Sequence, residues 1–218
     1  MKNTPFIAVT SQPVPYHADT TAIFNTLCQQ NSNSLLLDSA EIGSKNSLQS
    51  LILINAVVKI TCLGNQVTFR ALNANGKQVL NEIHPVLSQL GTVSAVKFDN
   101  EFSVQFAPLD NQLDEDSKLQ AATIFDGLRV ISNHYQHSST PVFLGGLFAY
   151  DLVANFIPMQ GVELKDDGIH CPDYSFYLAE NLITIDHQSQ QATLKSFCFS
   201  QEEQVEVAKT ALSIAQKL

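Results

Sequence analysis

The sequence predicts an α+β fold of mostly antiparallel sheets with flanking helices, and three observations carry that expectation. Alternating runs over residues 58–63 and 67–72 flank Gly64-Asn65, a hairpin pattern in which glycine supplies the positive φ of a tight turn. Further strand patterns lie at 93–98, 102–106, 174–185 and 193–199. Helical periodicity is found near 20–30, 77–90, 114–131 and 201–218, and the chain has no internal repeat and no firm domain boundary.

Taken in order, a Pro-rich extended start (Pro5, Pro13, Pro15) leads to Asp19, which caps a helix with Ala22, Ile23, Phe24 and Leu27 on its apolar face. Asn31-Ser32-Asn33 end that helix. Leu35-Leu36-Leu37 is a short apolar run stopping abruptly at Asp38-Ser39, which reads as a buried strand with a turn-forming exit. Gly43-Ser44-Lys45-Asn46 form a loop, and the hairpin follows. Asn73 to Gly76 turn the chain, and Pro85 should kink or split the helix over 77–90. Asp114-Glu115-Asp116 put negative charge on a helix start, where the macrodipole favours it. Ala121, Ile124, Phe125, Leu128 and Ile131 make the buried stripe of that helix, with Asp126 and Arg129 spaced to pair on its surface. After a polar linker over 136–140, residues 142–153 read as a strand interrupted by Gly145-Gly146. Such a glycine pair marks a bulge or a close backbone approach. The last helix carries Val205, Ala208, Leu212 and Ala215 on one side.

The 218 residues suffice for a sizeable core. Hydrophobic residues make up 44% and charged residues only 15%, a surplus that fits a surface meant to be covered. A net charge of −9 with 12 scattered basic residues argues against nucleic acid and anionic membrane as partners. Cys28, Cys62, Cys171 and Cys198 lie far apart, without the close spacing of metal or redox motifs. No signal-peptide core is present near the N-terminus, and the longest apolar stretch (51–60) contains Asn55 and Lys59 and is too short for a bilayer. The expectation is a cytoplasmic protein with reduced thiols.

Chemistry is sparse. The sequence has no Gly-rich phosphate loop, no Gly-x-Ser-x-Gly and no His-Glu-x-x-His. His134-x-x-His137 is a close pair at a polar helix end, and the neighbours in His170-Cys171 and Asp186-His187 diverge on extended backbone. Asp38-Ser39 at a strand exit admits two readings. One is a core strand and its cap; the other is a carboxylate and a hydroxyl that grip the ammonium of a small molecule.

The order of several blocks resembles the N-terminal segment of anthranilate synthase component I. They are Leu35-Leu36-Leu37-Asp38-Ser39-Ala40-Glu41-Ile42 with Ser44-Lys45 and Ser50-Leu51, then Leu113-Asp114-Glu115-Asp116. Gly145-Gly146-Leu147-Phe148-Ala149-Tyr150-Asp151-Leu152-Val153-Ala154 and Cys171-Pro172-Asp173 follow. Phe176-Tyr177-Leu178-Ala179-Glu180 and Ile185-Asp186-His187-Gln188 complete the set. The resemblance runs from residue 20 to the end and covers less than half of the family's chain. It implies that residues 1–218 are the N-terminal half of a sandwich-like α/β architecture around packed antiparallel sheets. The C-terminal chorismate-binding half, with its Mg2+ carboxylates and catalytic residues, is expected beyond Leu218.

The family's reaction converts chorismate and ammonia to anthranilate and pyruvate, with ammonia supplied by a glutamine amidotransferase subunit. By resemblance this segment holds no catalytic and no metal residues, needs no cofactor of its own, and carries part of the feedback site for tryptophan. Ser39 matches the family's effector-binding serine. Asp38 stands where enteric members have Glu, and Gln49 where they have Lys. Arg129 is a candidate for coupling that site to the rest. Two alternatives are the corresponding part of aminodeoxychorismate synthase component I, and a stand-alone regulatory module without catalysis.

Overall fold

The computed structural model describes residues 5–29, 31–38, 48–95, 100–108, 114–136, 140–156 and 171–218. Its strands are β1 (Ala8–Val14), β2 (Leu35–Asp38), β3 (Gln49–Leu63), β4 (Gln66–Ala71), β5 (Thr92–Ala95), β6 (Glu101–Gln105), β7 (Leu144–Phe148), β8 (Tyr174–Asp186) and β9 (Gln191–Cys198). The helices are α1 (Thr20–Cys28), α2 (Ala74–Leu87), α3 (Glu115–Gln120), α4 (Asp126–His134) and α5 (Gln204–Ala215), with a 3-10 turn over Tyr150–Asn155. Among the described residues the nine strands form one antiparallel sheet, so the fold is α+β as the sequence predicts.

The sheet is built on two long strands. β3 and β8 pair from Gln49↔Asp186 to Cys62↔Tyr174, with register shifts around Asn55. Their outer edges branch. Beside β3 lie β2 at one end (Leu35↔Leu53 to Asp38↔Ser50) and β4 at the other. Beside β8 lie β9 at the first end, continued by β1, and β7 at the second. At the first end Ile52, Ile54, Ile183 and Ile185 pack with Ile23 of α1 and with Ala211 and Ile214 of α5. The larger cluster joins Val57, Ile60, Val67 and Phe69 to Val79, Ile83 and Leu87 of α2 and Ile131 of α4.

Local chemistry explains most boundaries. Asp19 caps α1 by accepting from the Ala22 amide at 2.8 Å, and Gly64 turns the β3–β4 hairpin at φ +56°. Asp114 caps α3, accepting from the Ser117 amide at 2.7 Å. A Cβ on Gly146 would lie 2.2 Å from the Ser175 carbonyl oxygen, so this glycine of the pair does mark a close backbone approach, whereas one on Gly145 would meet the Phe143 ring.

Several expectations need correction. β2 is an edge strand, half-buried at Leu35 and Leu36 and open at Leu37, because it has a neighbour on one side only. Ala22 is exposed, leaving Ile23, Phe24 and Leu27 as the packed face of α1. α2 starts earlier than predicted, where the Asn73 side chain accepts from the Gly76 amide at 2.9 Å. It also runs through Pro85 to the buried Leu87, so the proline, with only two helical residues after it, does not split the helix. The helix starting after Asp114 breaks: Ala121 is extended at φ −65°, ψ 140°, and Asp126 Oδ2 takes the Thr123 amide at 2.7 Å to begin α4. The strand expected to reach Val153 ends at Phe148. On α5 the buried residues are Val207, Ala211 and Ile214, whereas Val205 and Leu212 are exposed. The loop 43–46, residues 96–98 of the expected 93–98 strand, residues 137–139 of the linker (His137 among them) and His170 lie outside the described residues.

Candidate functional site

The sharp apolar-to-polar switch at the end of β2 falls at a corner where four segments meet. β2 carries Asp38 to a position opposite Ser50, the second residue of β3. One Asp38 oxygen accepts from the Ser50 hydroxyl, and the other from Thr20 Oγ1 at 3.2 Å, at the start of α1. Ser50 is fully buried and also contacts His187 Nε2 at 2.8 Å. The other ring nitrogen of His187, Nδ1, lies 3.2 Å from the Tyr16 hydroxyl. The His187 amide donates to the Leu48 carbonyl at 2.9 Å, which extends the β3–β8 ladder by one rung. The corner therefore holds a continuous polar line, Tyr16–His187–Ser50–Asp38.

Asp38 is the open end of this line. Its carboxylate is fixed by two hydroxyls, yet the residue is exposed, and each oxygen keeps a second lone pair for a further donor. The arrangement can accept a cationic N–H group without rebuilding the corner. Ser39 and residues 40–47, which continue the chain from Asp38, lie outside the described residues. Gln49 is exposed and stands opposite Asp186. Strand alternation sends its side chain to the other face from Ser50.

Arg129 is elsewhere. It pairs with Asp126 at 3.2 Å and lies over the Phe125 ring. That ring stacks on Phe156 and meets Phe148 edge-on, beside the far end of β3. Ser50 and Cys62 stand twelve positions apart on β3, about 40 Å of extended strand. Asp38 and Gln49 thus come near one corner, and Arg129 does not.

Two further polar clusters are structural in geometry. Glu180 is buried, and its Oε1 accepts from Asn73 and Asn75 at 3.0 and 2.8 Å. Burial pushes its carboxyl pKa up, against the lowering effect of the two amides. His134, of the close histidine pair, bonds Glu82 at 3.0 Å, and the Tyr135 hydroxyl donates to the same carboxylate at 2.9 Å. Among the described residues no three His, Cys, Asp or Glu side chains form a metal-ligand set. Nor is any helix among them long and apolar enough to cross a membrane.

Comparisons with known proteins speak to the whole chain. No family model matches it. It is 84% identical over 213 residues to "Anthranilate synthase component 1" of Haemophilus influenzae, which covers 98% of this chain and 41% of that protein. The chain belongs to the anthranilate synthase component 1 family. Proteins of the same name from Vibrio cholerae and Escherichia coli are 44% identical over 202 residues and 36% over 199. These two matches cover 91% and 90% of this chain, but only 38% and 37% of the relatives. The chain thus spans about two fifths of the length of the curated component 1 relatives it matches.

Sequence reasoning missed Tyr16, Ser50 and His187. Asp186-His187 was visible as an adjacent pair, read as diverging on extended backbone, but local spacing does not bring residues 16, 38, 50 and 187 together. Only the β2–β3–β8 register does so.

Proposed function

We propose that this chain is the N-terminal regulatory part of an anthranilate synthase component 1, carrying part of a tryptophan feedback site and inactive on its own. The observation that carries the reading is Asp38: an exposed carboxylate anchored at a strand exit, in a chain with strong component 1 relatives. The parent activity is formation of anthranilate and pyruvate from chorismate and ammonia, in the cytoplasm, as a lyase of tryptophan biosynthesis. A glutamine amidotransferase partner supplies the ammonia.

Magnesium and the catalytic groups belong, on this reading, to the chorismate-binding part of the relatives. Tryptophan's ammonium is received by Asp38 and Ser39; Gln49, matched to the family's site by resemblance, projects to the other sheet face from Ser50 and is at most a neighbour of that contact. Asp38 has a stem one methylene shorter than Glu, so the ammonium must approach close to the strand exit. Binding favours a placement of the two parts that the reacting enzyme cannot use, a shift between pre-existing states. Arg129, packed at the opposite end of β3, is the proposed coupling residue.

Two measurements on the isolated chain test this. Chorismate, ammonia and magnesium should give no fluorescent anthranilate above a buffer blank; formation of the product would overturn the regulatory assignment. Calorimetry should give no tryptophan affinity in the micromolar range. An exposed ammonium contact contributes of the order of 1 kcal/mol, too little to offset lost translational freedom without a wall around the indole. A micromolar dissociation constant would mean that the pocket is complete within these residues.

A further inference from the structure

The inference concerns how Asp38 is held, and it rests on the feedback reading. We propose that His187 is a positioning residue of the effector site, acting on the Asp38 carboxylate through the Ser50 hydroxyl. The direction of the hydrogen bonds follows from the end of the line. An ionised carboxylate only accepts, so Ser50 donates its single proton to Asp38. The Ser50 oxygen must then receive from His187, which places the proton of a neutral imidazole on Nε2. Nδ1 is left as an acceptor, and the Tyr16 hydroxyl donates to it. With a neutral ring each group has one assignment that satisfies its neighbours, and all donors point towards Asp38.

Three features make this more than a tie between strands. Ser50 is fully buried, so water cannot replace the imidazole as its donor partner. His187 is locked at its backbone by the Leu48 carbonyl and at its far nitrogen by Tyr16, so the ring cannot turn away cheaply. A hydroxyl that accepts from one partner becomes a better donor to the next, and the low dielectric around Ser50 strengthens the effect. One oxygen of Asp38 is thereby pinned while its outer lone pairs remain open. An aspartate free to rotate would have to be ordered by each incoming ammonium; this one is ordered beforehand.

The test is a mutant cycle in a complete component 1 subunit carrying this segment, read as the tryptophan concentration for half-inhibition relative to each variant's own uninhibited rate. Asp38→Asn and His187→Phe should each raise that concentration about tenfold, the loss of one hydrogen bond to a charged group. His187→Gln keeps an N–H donor for Ser50 and should recover inhibition to within about threefold of the parent. The double variant Asp38→Asn/His187→Phe should be no worse than Asp38→Asn alone, because both act through one carboxylate. Additive losses would overturn the positioning role, and so would His187→Phe inhibited like the parent. If His187→Phe does not fold, Ser50→Ala breaks the same line with a smaller change, and parent-like inhibition of that variant overturns the proposal. Full inhibition of Asp38→Asn would refute the feedback reading at this carboxylate, and the role of His187 with it. Loss in Asp38→Asn but not in the His187 and Ser50 variants would spare that reading and remove only this inference.

Discussion

Gly76 sits in the first turn of α2 where the helix crosses the backbone of β3. A Cβ there would stand 2.0 Å from the Val57 carbonyl oxygen, with backbone on the opposing side and nothing flexible to yield. Gly76→Ala should therefore destabilise the fold by about 2–3 kcal/mol, the cost of overpacking a rigid contact, seen as a lower denaturant midpoint. Single residues with strong backbone preferences were the legible part of this sequence. Asp19, Gly64 and Asp114 act as predicted because their chemistry is local. Ser50 and His187 were illegible for the opposite reason. Their side-chain hydrogen bonds all reach residues more than ten positions away, and their roles depend on which strands lie side by side.

At the scale of elements, periodicity identified helices and strands but did not always choose the correct face. α5 has apolar residues around most of its circumference, so the sequence supports more than one stripe. Contact with β9 selects Val207, Ala211 and Ile214. Ile214→Ala should cost about 2–4 kcal/mol, whereas Leu212→Gln should change stability by less than about 0.5 kcal/mol, both by chemical denaturation. The β8 register also places Glu180 in the core, clasped by Asn73 and Asn75. Its carboxyl pKa is raised by burial above the ordinary 4.5. The folded state therefore holds this proton at pH values where the unfolded chain has lost it, and stability falls as pH rises from 4.5 through the folded value. Glu180→Gln keeps an acceptor for both amides and removes the titration. Its denaturation free energy should match the parent at the acid end and exceed it near neutrality; a difference independent of pH would contradict the assignment.

For the whole molecule, the class and the antiparallel character were readable from alternating runs, while the plan was not. β3 begins at Gln49, nine residues before the hairpin pattern that revealed its second half; residues 51–57, apolar except for Asn55, do not alternate and so hid that start. An apolar run without alternation conceals both its period and its neighbours. That hidden half of β3 aligns β2, β8 and the polar corner; local chemistry singled out Asp38-Ser39 as one of two readings, and the family resemblance alone favoured an effector site there. The account depends on that corner being where the end product is sensed. The direct measurement is tryptophan inhibition of a complete component 1 subunit carrying this segment, with and without Ser39→Ala. Loss of the serine hydroxyl should raise the half-inhibiting concentration about tenfold with the uninhibited rate retained. A variant inhibited as strongly as its parent would place the effector elsewhere and contradict the account.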